Sequence, residues 1–333
     1  TVLYAGDSKD GRIGGLNFQP DFVWIKGRDY SDNHQIFDSL RGVGKTLHAD
    51  STAVELTNNQ YGYLDDFTAD GFSIKGGTHS NAHYAVKYTD KEYVAWCWKA
   101  GNETKINNDG DIQTTVSVNQ DAGFSIIRYT QGTNPAGTTF GHGLGKVPAF
   151  FIHRSRNQSY NWDVYHKDLS GTNYRIILNS SDAEATVSFN WTPTSTIIQS
   201  GGSPHHAATD QIVYAWAEIE GYSKFGAFTG NNNDDGAFVY LGFKPAWVMV
   251  KNSGTSNANH DWIIFDNKRH TFNPIDAFLR ANESTAETTS GRNVIDFVSN
   301  GFKARSSYGD FNSSESYVYA AFAEMPFKYA NAS

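Results

Sequence analysis

Asn107, Asp109 and Asp111 alternate in Asn107-Asn-Asp-Gly-Asp111, a spacing that could offer three oxygen ligands to a hard cation. Asn231, Asn233 and Asp235, ahead of Gly236, imitate the opening of a calcium loop. Gly242 stands where the glutamate at the twelfth position of such a loop belongs, so this run reads as a polar turn. The expectation is no bound metal, with Asn107, Asp109 and Asp111 as the residues that would hold one.

The groups needed for catalysis are scattered. Gly42-Val-Gly-Lys-Thr46 lacks the first glycine of a phosphate loop, because Ser39 occupies that place. Glu218 and Glu220 have the spacing of two carboxylates on one strand, yet the matching positions elsewhere hold Lys99 and Gly101, and Glu324 and Pro326. His79 and His83 would pair only on a helix, and their surroundings read as loop. His205 and His206 point apart if extended. The single cysteine, Cys97, lies in the apolar run Tyr93-Val-Ala-Trp-Cys-Trp98 and reads as a core residue. We therefore expect no catalytic residue and no cofactor. For ligand binding, Tyr30 and Tyr160 are the candidates, since an exposed aromatic in a polar loop is a platform for a sugar ring.

The elements that would position these residues recur three times. Pro20-Asp-Phe-Val-Trp-Ile-Lys26, Pro148-Ala-Phe-Phe-Ile-His-Arg154 and Pro245-Ala-Trp-Val-Met-Val-Lys251 share a proline, an apolar run and a cation. Proline suits the first residue of a strand, and consecutive apolar residues imply burial on both faces. Each run is preceded by a strand with an Asn/Asp/Gly-rich hairpin tip: Asp7 to Gly11, Gln131 to Asn134, and Gly230 to Gly236. Each is followed by a short alternating strand, Gln35 to Asp38, Trp162 to His166 and Trp262 to Asp266, in which His166 replaces the aspartate of the other two copies.

Asp70-Gly-Phe and Asn300-Gly-Phe mark a further hairpin, replaced in the middle copy by Trp191 to Ile198. An apolar strand closes each copy. From Pro20 to Trp98, Pro148 to Trp216 and Pro245 to Phe322 the distances are 78, 68 and 77 residues. No amphipathic helix is visible. The fold expected is all-β: three tandem antiparallel β-sandwich modules of jelly-roll or lectin-like type, at 1–100, 123–220 and 221–333. A connecting β-hairpin at 101–122 links the first two.

Composition agrees, with 14% aromatic and 19% charged residues and 31 glycines. The length, 333 residues, suits two or three cores. A formal charge of −8 disfavours nucleic acid and anionic membranes as partners. No run approaches the ~18 apolar residues of a membrane span, so no membrane insertion is expected. No secretory signal is evident, and a start at Thr1 leaves room for prior processing.

Gly15 to Lys26, Tyr93 to Gly101, Gly221-Tyr-Ser-Lys-Phe-Gly226 and Tyr319 to Lys328 together resemble a family of repetitive, concanavalin-A-like virion-associated proteins of tailed, especially marine, phages. The resemblance covers nearly the whole chain and carries over no catalytic or sugar-binding residue. It implies a virion-surface, extracellular location as a fibre, spike or capsid decoration. The partners it implies are other virion proteins and host-surface glycans, and by analogy the chain would form a homotrimer. A polysaccharide depolymerase and a purely structural assembly protein are the alternatives.

Overall fold

The three proline-led runs form the strands Phe22–Gly27, Phe150–Ser155 and Pro245–Asn252 in a computed structural model. It describes residues 1–133, 137–199, 208–257, 260–289 and 294–324. His205, His206, Asn134, Pro326 and the end of the third copy lie outside the described residues. These central strands are buried throughout, except at Ala246, because alternate side chains enter different cores. Phe22 and Trp24 enter one apolar cluster, Val23 and Ile25 another. Phe150 and Ile152, and then Trp247 and Met249, repeat the first choice.

The chain is all-β, and the described residues hold one four-residue helical turn, Gly309–Asn312, that the pattern did not announce. Its Phe311 is fully buried, so tertiary packing rather than helical periodicity holds it. No helix among the described residues is long and apolar enough to cross a membrane.

Three large antiparallel sheets share one strand order. In the first block the order is Val2–Ala5, Glu92–Trp98, Phe22–Gly27, Gln35–Asp38, Lys45–His48 and Leu56–Thr57. The third runs Ser223–Thr229, Ser316–Ala323, Pro245–Asn252, Ile263–Asp266, Ala277–Arg280 and Thr288–Thr289. In the second, Phe124–Thr130, Asp210–Trp216, Phe150–Ser155, Asp163–His166, Tyr174–Ile177 and Ala185–Thr186 keep that order. Lys105–Asn107 and Thr114–Asn119, an antiparallel pair, extend it at one edge. Register agrees as well: Phe22 faces Trp98, Phe150 faces Trp216 and Trp247 faces Phe322.

Two local expectations change. The opening strands do not pair as hairpins with the next strands in the chain. Val2–Ala5 pairs with Glu92–Trp98, whereas Gly11–Gly14 joins a small sheet with Gly71–Lys75 and Tyr63–Thr68. The intervening turn, too long for a two-residue hairpin, carries the chain from one sheet to the other. The second and third blocks do the same through Thr139–Gly141 and Phe238–Tyr240. The short strands after the central ones do not alternate in burial either. All four residues of each are buried, for they too lie between two cores.

The large sheets turn one face to a common core. There Trp98 lies 6.1 Å from Trp216, 5.5 Å from Trp247 and 5.4 Å from Phe322, each ring edge-on. Around this core the blocks join in a closed cycle. The Glu55 N–H donates to the Arg156 carbonyl (2.8 Å), Glu184 to Ser253 (3.2 Å) and Glu287 to Arg28 (2.7 Å). Trp162 Nε1 donates to the His48 carbonyl at 2.8 Å, and Trp262 Nε1 to that of Ile177 at 2.9 Å. Trp24 donates to His34 Nδ1 at 2.8 Å, which leaves the proton on Nε2, 2.9 Å from the Arg280 carbonyl. First to second, second to third and third to first, the same bond is made from matching positions, a heterologous contact that closes.

Candidate functional site

In the first block Gln35 faces His48 and Ile36 faces Leu47. Ile36 and Leu47 belong to the common core, so Gln35, Thr46 and His48 lie on the opposite face of the sheet. The turn after the edge strand Leu56–Thr57 crosses that face. Asn58 sits in the left-handed region (φ 48°), and its N–H is held 2.8 Å from the Gly44 carbonyl. Asn59 Oδ1 then accepts the Tyr61 N–H at 3.1 Å. Between this turn and the loop before Gln35 lies a cleft of about 480 Å³, lined by Asp32, Gln35, His48, Asn59, Gln60 and Tyr61 among others. Tyr61 is half-buried, with its ring 4.5 Å from that of His79.

The polar balance of the cleft differs from that at the matching positions. Gln35 Nε2 donates to the Asn33 carbonyl at 3.0 Å, but its Oε1 is buried without a partner. Thr46 Oγ1 and Asp32 Oδ2 are in the same condition. The second block places Asp163 and Arg175 where the first has Gln35 and Thr46, and these two pair at 2.8 Å. The third places Ile263 and Phe278 there, both within an apolar cluster. Two blocks are thus self-sufficient at this spot, while the first leaves oxygens whose isolation costs about 1–3 kcal/mol each.

Burial governs the charges behind the cleft. It raises Asp32 to about 6, against the pull of the Asn33 N–H and Lys26, and it raises Asp50 to about 7. It lowers Lys26 to about 8, partly offset by Asp32 and Asp50. Lys26 Nζ is spent on the Gly27 carbonyl at 2.8 Å. Burial also depresses His34 and His48, which keeps both rings neutral near pH 7.

The residues singled out from sequence do not converge. Tyr30 is buried, at 9% exposure, and donates to the Tyr84 carbonyl at 2.5 Å, which corrects the expectation of an exposed platform. Gly27 makes room for it, since a Cβ there would lie 2.3 Å from the Tyr30 ring. Tyr160 is half-buried, in a separate cleft of about 170 Å³ with Ser159, Asn161, Asp163 and Arg175. Asp111 accepts the Thr139 N–H at 3.0 Å and its hydroxyl at 2.9 Å, and Asn107 Nδ2 donates to Asp109 at 3.1 Å. Those oxygens knit the turn itself. Among the described residues no group of three or more His, Cys, Asp or Glu side chains could hold a metal.

At the Asn231 turn the Asn312 amide donates to Asn231 Oδ1 (3.0 Å) and the Asn233 carbonyl (2.8 Å), so an amide ties the oxygens of that turn together. Glu218 accepts the Phe225 N–H at 3.1 Å and braces the turn between the second and third blocks. Sequence reasoning missed Asn58 to Tyr61. An aromatic in an amide-rich turn was the signal used to choose Tyr30 and Tyr160, and here it would have found the cleft.

Compared with known proteins, residues 1–326 match a family described as Domain of unknown function (DUF7483). No curated protein and no solved structure matches the chain.

Proposed function

The chain belongs to the DUF7483 family, and we propose that it is a non-enzymatic, glycan-binding protein of a phage virion surface, a fibre, spike or capsid decoration. Its three blocks act as tandem lectin-like β-sandwich modules, each a large sheet covered by a small one. The resemblance of the repeated motifs supports the virion setting, with other virion proteins as partners. The closed cycle of blocks suits a threefold-symmetric neighbour, whether that is a fibre or a homotrimer of this chain.

One observation carries the glycan reading: two buried, unpartnered acceptors, Gln35 Oε1 and Asp32 Oδ2, in residues lining a cleft that also holds amides and an aromatic ring. Sugar hydroxyls donate to such oxygens while a ring face packs on the aromatic. Tyr61, rather than Tyr30, is the platform. Titration of the protein with host capsule or exopolysaccharide should show saturable binding that Tyr61→Ala weakens at least tenfold. Binding by no saccharide overturns the reading. Asp32, raised to about 6 in the cleft, is what favours a depolymerase instead. Shortening of the polysaccharide that Asp32→Asn abolishes would establish that rival.

A further inference from the structure

We infer that the first-block cleft selects saccharides that donate hydrogen bonds at its floor, neutral or amino sugars, against acidic ones, and that it binds one ligand per chain. This rests on the glycan-binding reading and goes further by assigning ligand class and stoichiometry. Gln35 is 1% exposed and lines the cleft, with its one bonded amide hydrogen turned to the Asn33 carbonyl and its Oε1 left unpartnered. Asp32, which also lines the cleft, adds an unpartnered carboxylate oxygen, Oδ2. A hydroxyl or an ammonium group supplies the proton each of these lacks. A uronate would set an acceptor against acceptors and a negative charge against Asp32. Lys26, whose charge acts on Asp32, has its Nζ held by the Gly27 carbonyl at 2.8 Å.

The single site is a consequence of the matching positions. In the second block the Asp163 carboxylate is occupied by Arg175 at 2.8 Å. In the third, Ile263 and Phe278 have no polar atom to offer, and Arg280 beside them is engaged by Asp261 at 2.8 Å. The same spot therefore has unpartnered acceptors in one block, an ion pair lining a smaller cleft in the next and hydrocarbon in the last.

Calorimetric titration of the intact protein at pH 7 against panels of neutral, amino and uronic-acid oligosaccharides tests both parts. The expected result is one site per chain and at least tenfold tighter binding of neutral or amino sugars than of uronic-acid ones. The double variant Gln35→Asp with Thr46→Arg imports the second block's pair and should abolish binding without lowering the melting temperature. Should that variant not fold, Gln35→Ile, which carries the third block's residue, is read in its place with the same expectation. A preference for acidic sugars, two or three sites per chain, or binding retained in the folded variant would overturn the inference while leaving glycan binding intact. Binding of no saccharide in any panel would overturn both.

Discussion

Asp50 shows what one carboxyl costs in this chain. Its Oδ1 accepts the His34 N–H at 3.0 Å, a bond that Asn179 makes to Trp162 at 2.9 Å and Asn282 makes to Trp262 at 2.8 Å. The other two blocks hold the same bond with a neutral amide, so the negative charge adds nothing to it. Burial raises Asp50 to about 7, and a carboxyl raised on folding contributes stability that is fully present below its unfolded value. That contribution is lost as pH rises through about 7. Asp50→Asn should therefore match the parent near pH 4 and exceed it by about 2 kcal/mol at pH 8, after allowing for relaxation around the charge. Melting temperatures measured across that range check this, and a variant less stable at pH 8 would refute it. Cys97 is affected in the same direction: half-buried against the first block's second core, its thiol is pushed up to about 12 by desolvation. Iodoacetamide at pH 8 should label the native protein far more slowly than the protein in denaturant.

At the scale of elements, two of the three seams carry the same ion-pair network and one does not. Arg41 pairs with Asp38 at full burial, Glu55 joins Arg41 at 3.3 Å, and Arg156 of the next block meets Glu55 through two bonds of 2.9 and 2.8 Å. Asp266, Arg269, Glu287 and Arg28 repeat the arrangement. At the remaining seam His166, lowered to about 4 by burial and so neutral, Leu169 and Ser253 stand in the matching places. Three members of the ionic set were thus exchanged together, while Glu184 keeps the glutamate's place and accepts the Ser170 N–H at 2.9 Å. Arg41→Leu alone should cost about 3–5 kcal/mol, because it strands Asp38. Adding Asp38→His should restore part of that loss. Denaturant melts of the single and double variants read the coupling, and additive losses would show that the residues act apart.

The strands were legible because proline, apolar runs and turn residues recur at constant spacing. The odd residue at His166 was legible too. Its meaning was not, since the position that completes the set, Ser253, lies in the next block. The cleft stayed hidden for a related reason: Gln35, Thr46 and Tyr61 are far apart in sequence, and no local period links them.

At the scale of the whole molecule, the common core makes the blocks depend on one another. Trp24 and Trp96 from the first, Trp162 and Trp216 from the second, and Trp247 and Trp262 from the third all enter it. Tryptophan fluorescence and far-UV circular dichroism should accordingly report one coincident unfolding transition in denaturant. Separate transitions for separate blocks would refute the shared core. The closed cycle has a further effect on what the surface can become. Three identical subunits would show every substitution three times, and would come apart on dilution as any assembly does. One continuous chain escapes both constraints. Each third can drift by itself while its neighbours hold it in place, so a costly change such as Gln35 together with Thr46 occurs once, where two unaltered thirds keep the structure intact.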